Sequence, residues 1–258
     1  MVTPRSGWVL DTDRLSWYDE SIATTISIAP SGVDPDRIVA LTIDATGSGV
    51  LAFVNDDERS ISTMTTATFG KTWSATGVTS LTSMYSSFDI ASVSGHVYLA
   101  AGTQNANFSY GELFAFEGAR WVRRGVTPVA GKLSATDGRI WLTGGSDRSH
   151  LYSSVDEGKT WHEETFAGDR QYGLPRSSDK AHASVLSLLF DEPADTSVWT
   201  DWVTADGGAT WTRRGDRRVT GRSHVRFGAS FPDGGATLVT GTNDVARFQA
   251  SKHQRSRR

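Results

Sequence analysis

Six arginines lie in segments of turn-like composition: Arg148, Arg170, Arg176, Arg217, Arg218 and Arg222, with Tyr172 and Asp179 among them. A guanidinium grips a carboxylate through two parallel hydrogen bonds. A tyrosine beside a carboxylate, or two carboxyl groups, is what glycoside hydrolysis requires. Gathered at one place, these side chains would hold an anionic ligand, with Arg170, Arg176, Arg217 and Arg222 contributing most. The competing reading is solvated loop charge. It has support in the sequence, because Trp121-Val-Arg-Arg-Gly125 and Trp211-Thr-Arg-Arg-Gly215 repeat one another. No catalytic residue can be assigned from these patterns.

Other chemistries find less footing. The absence of cysteine excludes disulfides, thiolate-bound zinc and a thiol nucleophile. His96, His150, His162, His182, His224 and His253 show no metal-ligand spacing. Asp11 with Asp13, and the run Asn55 to Glu58, lack the continuation of a calcium loop and read as solvated acidic turns. Gly102, Gly144, Gly145 and Gly241 end strand-like runs and open no helix, so a phosphate loop is not expected. The expectation is a chain with no metal and no cofactor.

A net charge of -3 makes no case for nucleic acid or an anionic membrane. No apolar run reaches the length of a membrane helix, so no membrane insertion is expected. The first residues, MVTPRSGWVLDTDRLSW, hold no apolar segment of signal-peptide length. The compartment is expected to be cytoplasmic, or secreted or periplasmic after removal of an export signal.

The elements that must position the arginines are repeated. Ser153 to Trp161 reads SSVDEGKTW, and Val203 to Trp211 reads VTADGGATW. Thr66 to Trp73 keeps the frame with Thr68 in place of Asp156 and Asp206. Phe116 to Trp121 is a shortened copy, and Asp11 to Trp17 a poorer one. The tryptophans at 17, 73, 121, 161 and 211 stand 56, 48, 40 and 50 residues apart, the spacing of four-stranded propeller blades. Alternating runs ending in glycine precede the phrase, as in Arg139 to Ser146 and His96 to Thr103. One repeat reads as strands over 132–135, 139–143, 150–154 and 160–164.

The phrase S-x-D-x-G-x-T-W resembles the Asp-box, or BNR repeat, of sialidase-like β-propellers. Ser154, Asp156, Gly158, Thr160 and Trp161 match it throughout, and Thr204, Asp206, Gly208, Thr210 and Trp211 match with Thr first. The resemblance covers residues 8–248. It implies that the phrase forms the turn between strands three and four of a blade, and that these ten residues are structural. The carboxylate would accept backbone N–H groups, the glycine would take positive φ, and the tryptophan would bury its ring. It also implies that the loops 76–89, 103–111, 144–149, 165–182 and 215–224 lie on the opposite edge, the last three carrying the arginines. Sialidases hold a sugar carboxylate with three arginines beside a Tyr–Glu pair and an Asp. Their Arg-Ile-Pro signature is absent here, since neither Arg5 nor Arg176, each beside a proline, stands in that context.

The expected fold is all-β: a propeller of four-stranded antiparallel blades, five by the tryptophan count, with six allowed by the resemblance. Arg14 to Trp17 would supply the last strand of the C-terminal blade, closing a ring from both termini. Residues 1–251 would form a single domain, and the basic segment 252–258 a disordered tail. The expected function is non-catalytic binding of a protein or glycan on the loop-rich face by a monomer. The alternative is a sialidase-like exo-glycosidase, and a third reading is a truncated or decayed propeller.

Overall fold

The structure is a computed structural model. It describes residues 6–11, 14–19, 24–44, 46–93, 95–105, 108–136, 138–145, 149–166, 168, 170–177, 179–222, 227–230, 236–240 and 244–248. The expected tail 252–258 and Arg148 lie outside the described residues. Two compact units divide the chain, Met1–Ala130 and Gly131–Arg258. Among the described residues no helix is long and apolar enough to cross a membrane.

The first unit holds three antiparallel sheets. Strands β1 (Ser6–Asp11), β2 (Arg14–Asp19) and β3 (Thr24–Ser27) pair in order. Strands β4 (Ile38–Ile43), β5 (Gly49–Val54), β6 (Ser60–Thr66) and β7 (Ser74–Ser80) make a four-stranded meander. So do β8 (Ser87–Val93), β9 (His96–Gln104), β10 (Ser109–Glu117) and β11 (Arg120–Thr127). Middle strands are apolar and buried, as in the Leu99–Ala101 run of β9, while fourth strands such as β7 are largely exposed. Ala40, Ala52, Ile61, Leu99, Phe114 and Trp121 form one core cluster, and Leu15, Ile28, Leu41 and Leu51 another.

The second unit repeats the plan. Strands β12 (Gly131–Thr136), β13 (Arg139–Gly144), β14 (His150–Ser154) and β15 (His162–Glu163) form a sheet. In the next, β18 (Ala183–Asp191), β19 (Thr196–Thr204) and β20 (Thr212–Thr220) are long. Two short strands, β16 (Gln171–Tyr172) and β17 (Arg176–Ser177), both pair with the inner edge of β18. The last sheet is β21 (Phe227–Ser230), β22 (Ala236–Thr240) and β23 (Asp244–Phe248).

The described residues thus form six sheets, where the tryptophan count pointed to five blades. The difference lies near the N-terminus. Trp17 sits on β2, the middle strand of its own sheet, and pairs with Trp8. It does not mark a fourth strand. With β1 on one edge and β3 on the other, Arg14 to Trp17 has no edge left with which to complete another sheet. The strand expected over 160–164 is also shorter, because Thr160 and Trp161 belong to the turn.

A second repeat signal explains the outer strands. Each long fourth strand carries a β-bulge three residues after its tryptophan, followed by glycine. Thr76 is skipped between Ala75 and Gly77, Arg124 between Arg123 and Gly125, and Arg214 between Arg213 and Gly215. The spacing W-x-x-x-G recurs at Trp73–Gly77, Trp121–Gly125 and Trp211–Gly215. After Trp161 the corresponding residue is Thr165, and there the strand has already ended.

Candidate functional site

The repeated turns are closed by their own side chains. Asp156 Oδ1 accepts from Thr160 N at 2.9 Å and from Ser154 Oγ at 2.8 Å, while Oδ2 accepts from Thr160 Oγ1 at 2.7 Å. Ser154 Oγ in turn accepts from Gly158 N at 2.8 Å. Thr204, Asp206, Gly208 and Thr210 reproduce every bond within 0.2 Å of these lengths. In both turns the bonds from the following threonine, led by its hydroxyl, pull the aspartate pKa down to about 2. Two consecutive residues have positive φ, Glu157 at 61° and Gly158 at 83°, then Gly207 at 73° and Gly208 at 94°. Glycine stands at the second position in both turns, where a Cβ at Gly208 would also crowd Trp141 and Glu164 at 3.0 to 3.4 Å. With three hydrogen bonds accepted within its own turn, each of Asp156 and Asp206 acts as a corner brace.

Thr68 stands in for the aspartate in the first unit. Its Oγ1 accepts from Thr72 N at 2.9 Å and lies 2.8 Å from Thr72 Oγ1. Thr68→Asp should supply the second acceptor and raise stability by about 1 kcal/mol, read as a higher midpoint in thermal unfolding. An unchanged or lower midpoint would mean the corner is already satisfied.

The tryptophans tie sheets together. Trp73 Nε1 donates to Ile28 O at 2.7 Å, Trp121 Nε1 to Thr63 Oγ1 at 2.8 Å, and Trp211 Nε1 to Glu164 Oε2 at 2.9 Å. Each reaches back to the preceding sheet or its flanking loop. Trp161 Nε1 has no hydrogen-bond partner among the described residues.

The structure brings three of the eight candidate binding residues together. Arg170, Tyr172 and Arg222 line a cleft of about 1080 Å³ in the second unit. One wall is Ser149, His150, Glu163 and Glu164, and the other is Leu188 to Pro193. Arg170 donates to Ser187 Oγ and Thr200 Oγ1 and lies over the Trp202 ring at 5.4 Å. Burial pushes its guanidinium below its ordinary pKa. Tyr172 is buried against Phe166, so it is a core residue with an edge on the cleft. Arg222 rests on the Phe190 ring at 5.1 Å.

The other described candidates lie elsewhere. Arg176 is on β17 opposite Ser184, and Asp179 follows at the same end of β18, next to the Asp206 turn. Arg170 and Arg222 sit at the other end of β18, which is nine residues long. At about 3.3 Å per residue the two groups are far apart. Asp179 accepts from the backbone of Ala181 and His182, both at 2.8 Å, and those bonds lower its pKa. Arg217 and Arg218 are not in a loop: they sit on β20, opposite Trp199 and Val198. Edge strands take charge readily because their outer side faces water, which is why a strand here reads as a loop in sequence. Arg213 and Arg214 on the same strand pair with Asp216 and Asp201.

A second polar centre, in the first unit, has no counterpart in the sequence reading. Glu112 on β10 is fully buried. It accepts from Thr82 Oγ1 at 2.7 Å, from Tyr85 OH at 2.5 Å and from Arg123 Nε. These donors hold Glu112 below its ordinary pKa against the opposing effect of burial, and burial raises that of Tyr85. The signal that could have found it is the charged residue inside the apolar strand 112–116, set against the arginine of WVRRG.

No family model and no curated protein sequence matches the chain. Solved structures do. "YCF48 bound to D1 peptide" aligns over 95% of this chain and 76% of its own, with a TM-score of 0.61 and 15% identity. Hsv2 of Kluyvelomyces marxianus aligns over 92% and 70%, with TM-score 0.59 and 12% identity. A polysaccharide lyase of family PL25, an ulvan lyase bound to a sugar, aligns over 91% and 70%, with TM-score 0.56 and 10% identity. The chain has the β-propeller fold. At these identities the likeness speaks to fold alone, and fold does not imply function.

Proposed function

We propose that this chain is a non-catalytic β-propeller of the Asp-box type that binds a segment of a partner protein in the cleft of its second unit. The observation that carries this reading is the cleft itself. It is large, and it sets Phe166, Leu188, Leu189 and Phe190 beside six charged side chains, a mixed surface suited to a peptide segment with both apolar and charged residues. The residues that would offer hydrolytic chemistry are engaged in holding structure. Asp156 and Asp206 close turns, and Glu112 is sealed beneath Tyr85 and Arg123. Similarity in fold to a propeller solved with a bound peptide supports the same reading. It takes residues 1–251 as one propeller domain, and the S-x-D-x-G-x-T-W turns as its blade corners.

The test is selection of a random displayed peptide library on the purified protein. Selected peptides should bind the wild type and lose affinity at least about tenfold for Leu189→Arg, which fills the cleft. Peptides that bind the variant equally well would remove the cleft from the reading.

A second reading, a sialidase-like exo-glycosidase, draws on the Tyr85–Glu112 pair with Arg123 beside it. Against it, the donors around Glu112 lower its pKa and burial raises that of Tyr85, so a weak base faces a phenol that holds its proton. Release of a fluorogenic sialoside that vanishes with Tyr85→Phe would establish the enzyme instead.

A further inference from the structure

A smaller pocket of about 330 Å³ lies beside the cleft in the second unit and shares Glu164, Thr165 and Phe166 with it. Three aromatic side chains line it: Phe166 shortly after β15, Trp202 on β19, and Trp211 just before β20. Phe166 meets Trp202 at 57° with centroids 5.0 Å apart, and Trp211 at 52° and 5.5 Å. The rings stand at angles to one another, as the walls of a recess do. Both indole N–H groups are already used. Trp202 Nε1 donates to Ser187 Oγ at 2.9 Å, and Trp211 Nε1 to Glu164 Oε2 at the same distance. These bonds hold the rings in place and leave their π faces as what they offer a ligand.

The charge of the pocket comes from Glu164, which is 4% exposed. Its Oε1 accepts from Ser153 Oγ at 2.7 Å and its Oε2 from Trp211, both neutral donors. Arg139 stops one residue short, donating to Ser153 Oγ at 3.1 Å. Among the described residues, no lysine or arginine pairs with Glu164 or lines the pocket. A buried carboxylate is costly unless a cation meets it. Aromatic faces attract cations too, and the Arg170 guanidinium already lies over Trp202 at 5.4 Å. A cation bearing N–H groups would have to find acceptors here, and each Glu164 oxygen already takes a bond. A methylated ammonium needs none. Its charge is spread over methyl groups that can rest on the rings.

We infer that this pocket binds a methylated ammonium group, with its charge against Glu164 and its methyl groups against Phe166, Trp202 and Trp211. The group can belong to a free small molecule or to a methylated lysine. This goes beyond the binding of a segment in the cleft. Leu189 lines the cleft and not this pocket, so peptide binding there and cation binding here can fail separately.

The probes are choline, its uncharged isostere dimethylbutanol, in which carbon replaces the nitrogen, and the peptide GSKGS with its lysine either trimethylated or unmodified. Calorimetric titration of the full chain should show choline binding at least about tenfold more tightly than the isostere. Ala209→Lys places an ammonium at the pocket, on an exposed turn residue whose counterpart in the sister turn is Lys159. The turn should therefore fold, and choline affinity should fall at least about tenfold. Glu164→Gln should weaken choline while leaving dimethylbutanol unchanged. A trimethylated peptide that binds more tightly than choline, and more tightly than its unmodified form, supports the inference with a protein side chain as the source. Choline binding more tightly than either peptide supports it with a free small molecule as the source. Equal affinity for choline and dimethylbutanol overturns the inference, as does undiminished choline binding by Ala209→Lys. So does the absence of binding by choline and the trimethylated peptide to a protein whose thermal unfolding is cooperative.

Discussion

Glu112→Ala is expected to destabilise the protein by about 3 kcal/mol in urea unfolding. The carboxylate is fully buried and collects three donors, Thr82 and Tyr85 from the segment before β8 and Arg123 from β11. Removing it leaves a phenol and a hydroxyl without their acceptor and opens a cavity on β10. The ion pair contributes the smaller part, since the Arg123 side chain is 47% exposed and its charge is screened by water. Glu112→Gln separates the parts, because it keeps an acceptor for Tyr85 and loses the charge. It should cost less than half as much. The acid limb of stability gives an independent check. The folded pKa of Glu112 lies below its ordinary value of 4.5. Its contribution is therefore present above pH 4.5 and is lost as pH falls through the lower folded value. Glu112→Gln should flatten the stability profile in that window. A change within about 0.5 kcal/mol for Glu112→Ala, the range of an ordinary surface substitution, would show that water replaces the carboxylate without loss.

Trp141→Ala should cost more, about 4 kcal/mol, through the second unit. The ring on β13 is fully buried and meets Trp211 edge-on, with centroids 5.7 Å apart. Its Nε1 donates to Ser177 Oγ at 3.0 Å, and Arg139 lies over its face at 5.3 Å. The Gly208 turn approaches it so closely that a Cβ there would lie 3.1 Å from the ring. Two sheets and one corner therefore lose their common surface together. Trp141→Phe keeps most of the volume and loses the hydrogen bond, and should cost about 2 kcal/mol. If both substitutions cost the same, the hydrogen bond rather than the packed volume would be the source of stability.

The parts of this structure legible in the sequence are those that repeat with fixed spacing. Ser154, Asp156, Gly158 and Thr160 state a corner whose bonds are all local, so residue types alone determine them. The strand over 150–154 was readable from its alternation between two such signals. The sheet count was less so, because Trp17 looks like the other tryptophans but sits on a middle strand, and register across strands is not written locally. The arginines illustrate the same limit. Arg170 and Arg176 are six residues apart in sequence, yet the segment between them runs along β18, leaving them at opposite ends of that strand. Composition marks both as loop charge, while the pairing of Gln171 with Leu188 and of Arg176 with Ser184 decides where each one ends. Glu112 was hidden for another reason. A lone carboxylate in an apolar strand signals a partner, but the partners come from elements that sequence spacing does not connect.

The self-closing corners bear on how such a chain reaches its native state. Every hydrogen bond that closes the 154–160 and 204–210 turns joins residues no more than four positions apart. Closing so short a loop costs little chain entropy, and hairpins of this kind form in microseconds. The side-chain bonds of the corners therefore need nothing from distant sequence, although Gly207 N also reaches out to Ala181 O at 2.7 Å. The bonds of Trp73, Trp121 and Trp211 span 45, 58 and 47 residues and can form only when neighbouring sheets meet. The loop-closure cost of folding accordingly falls on the meeting of hairpins, which the indole donors join across the longest of these separations.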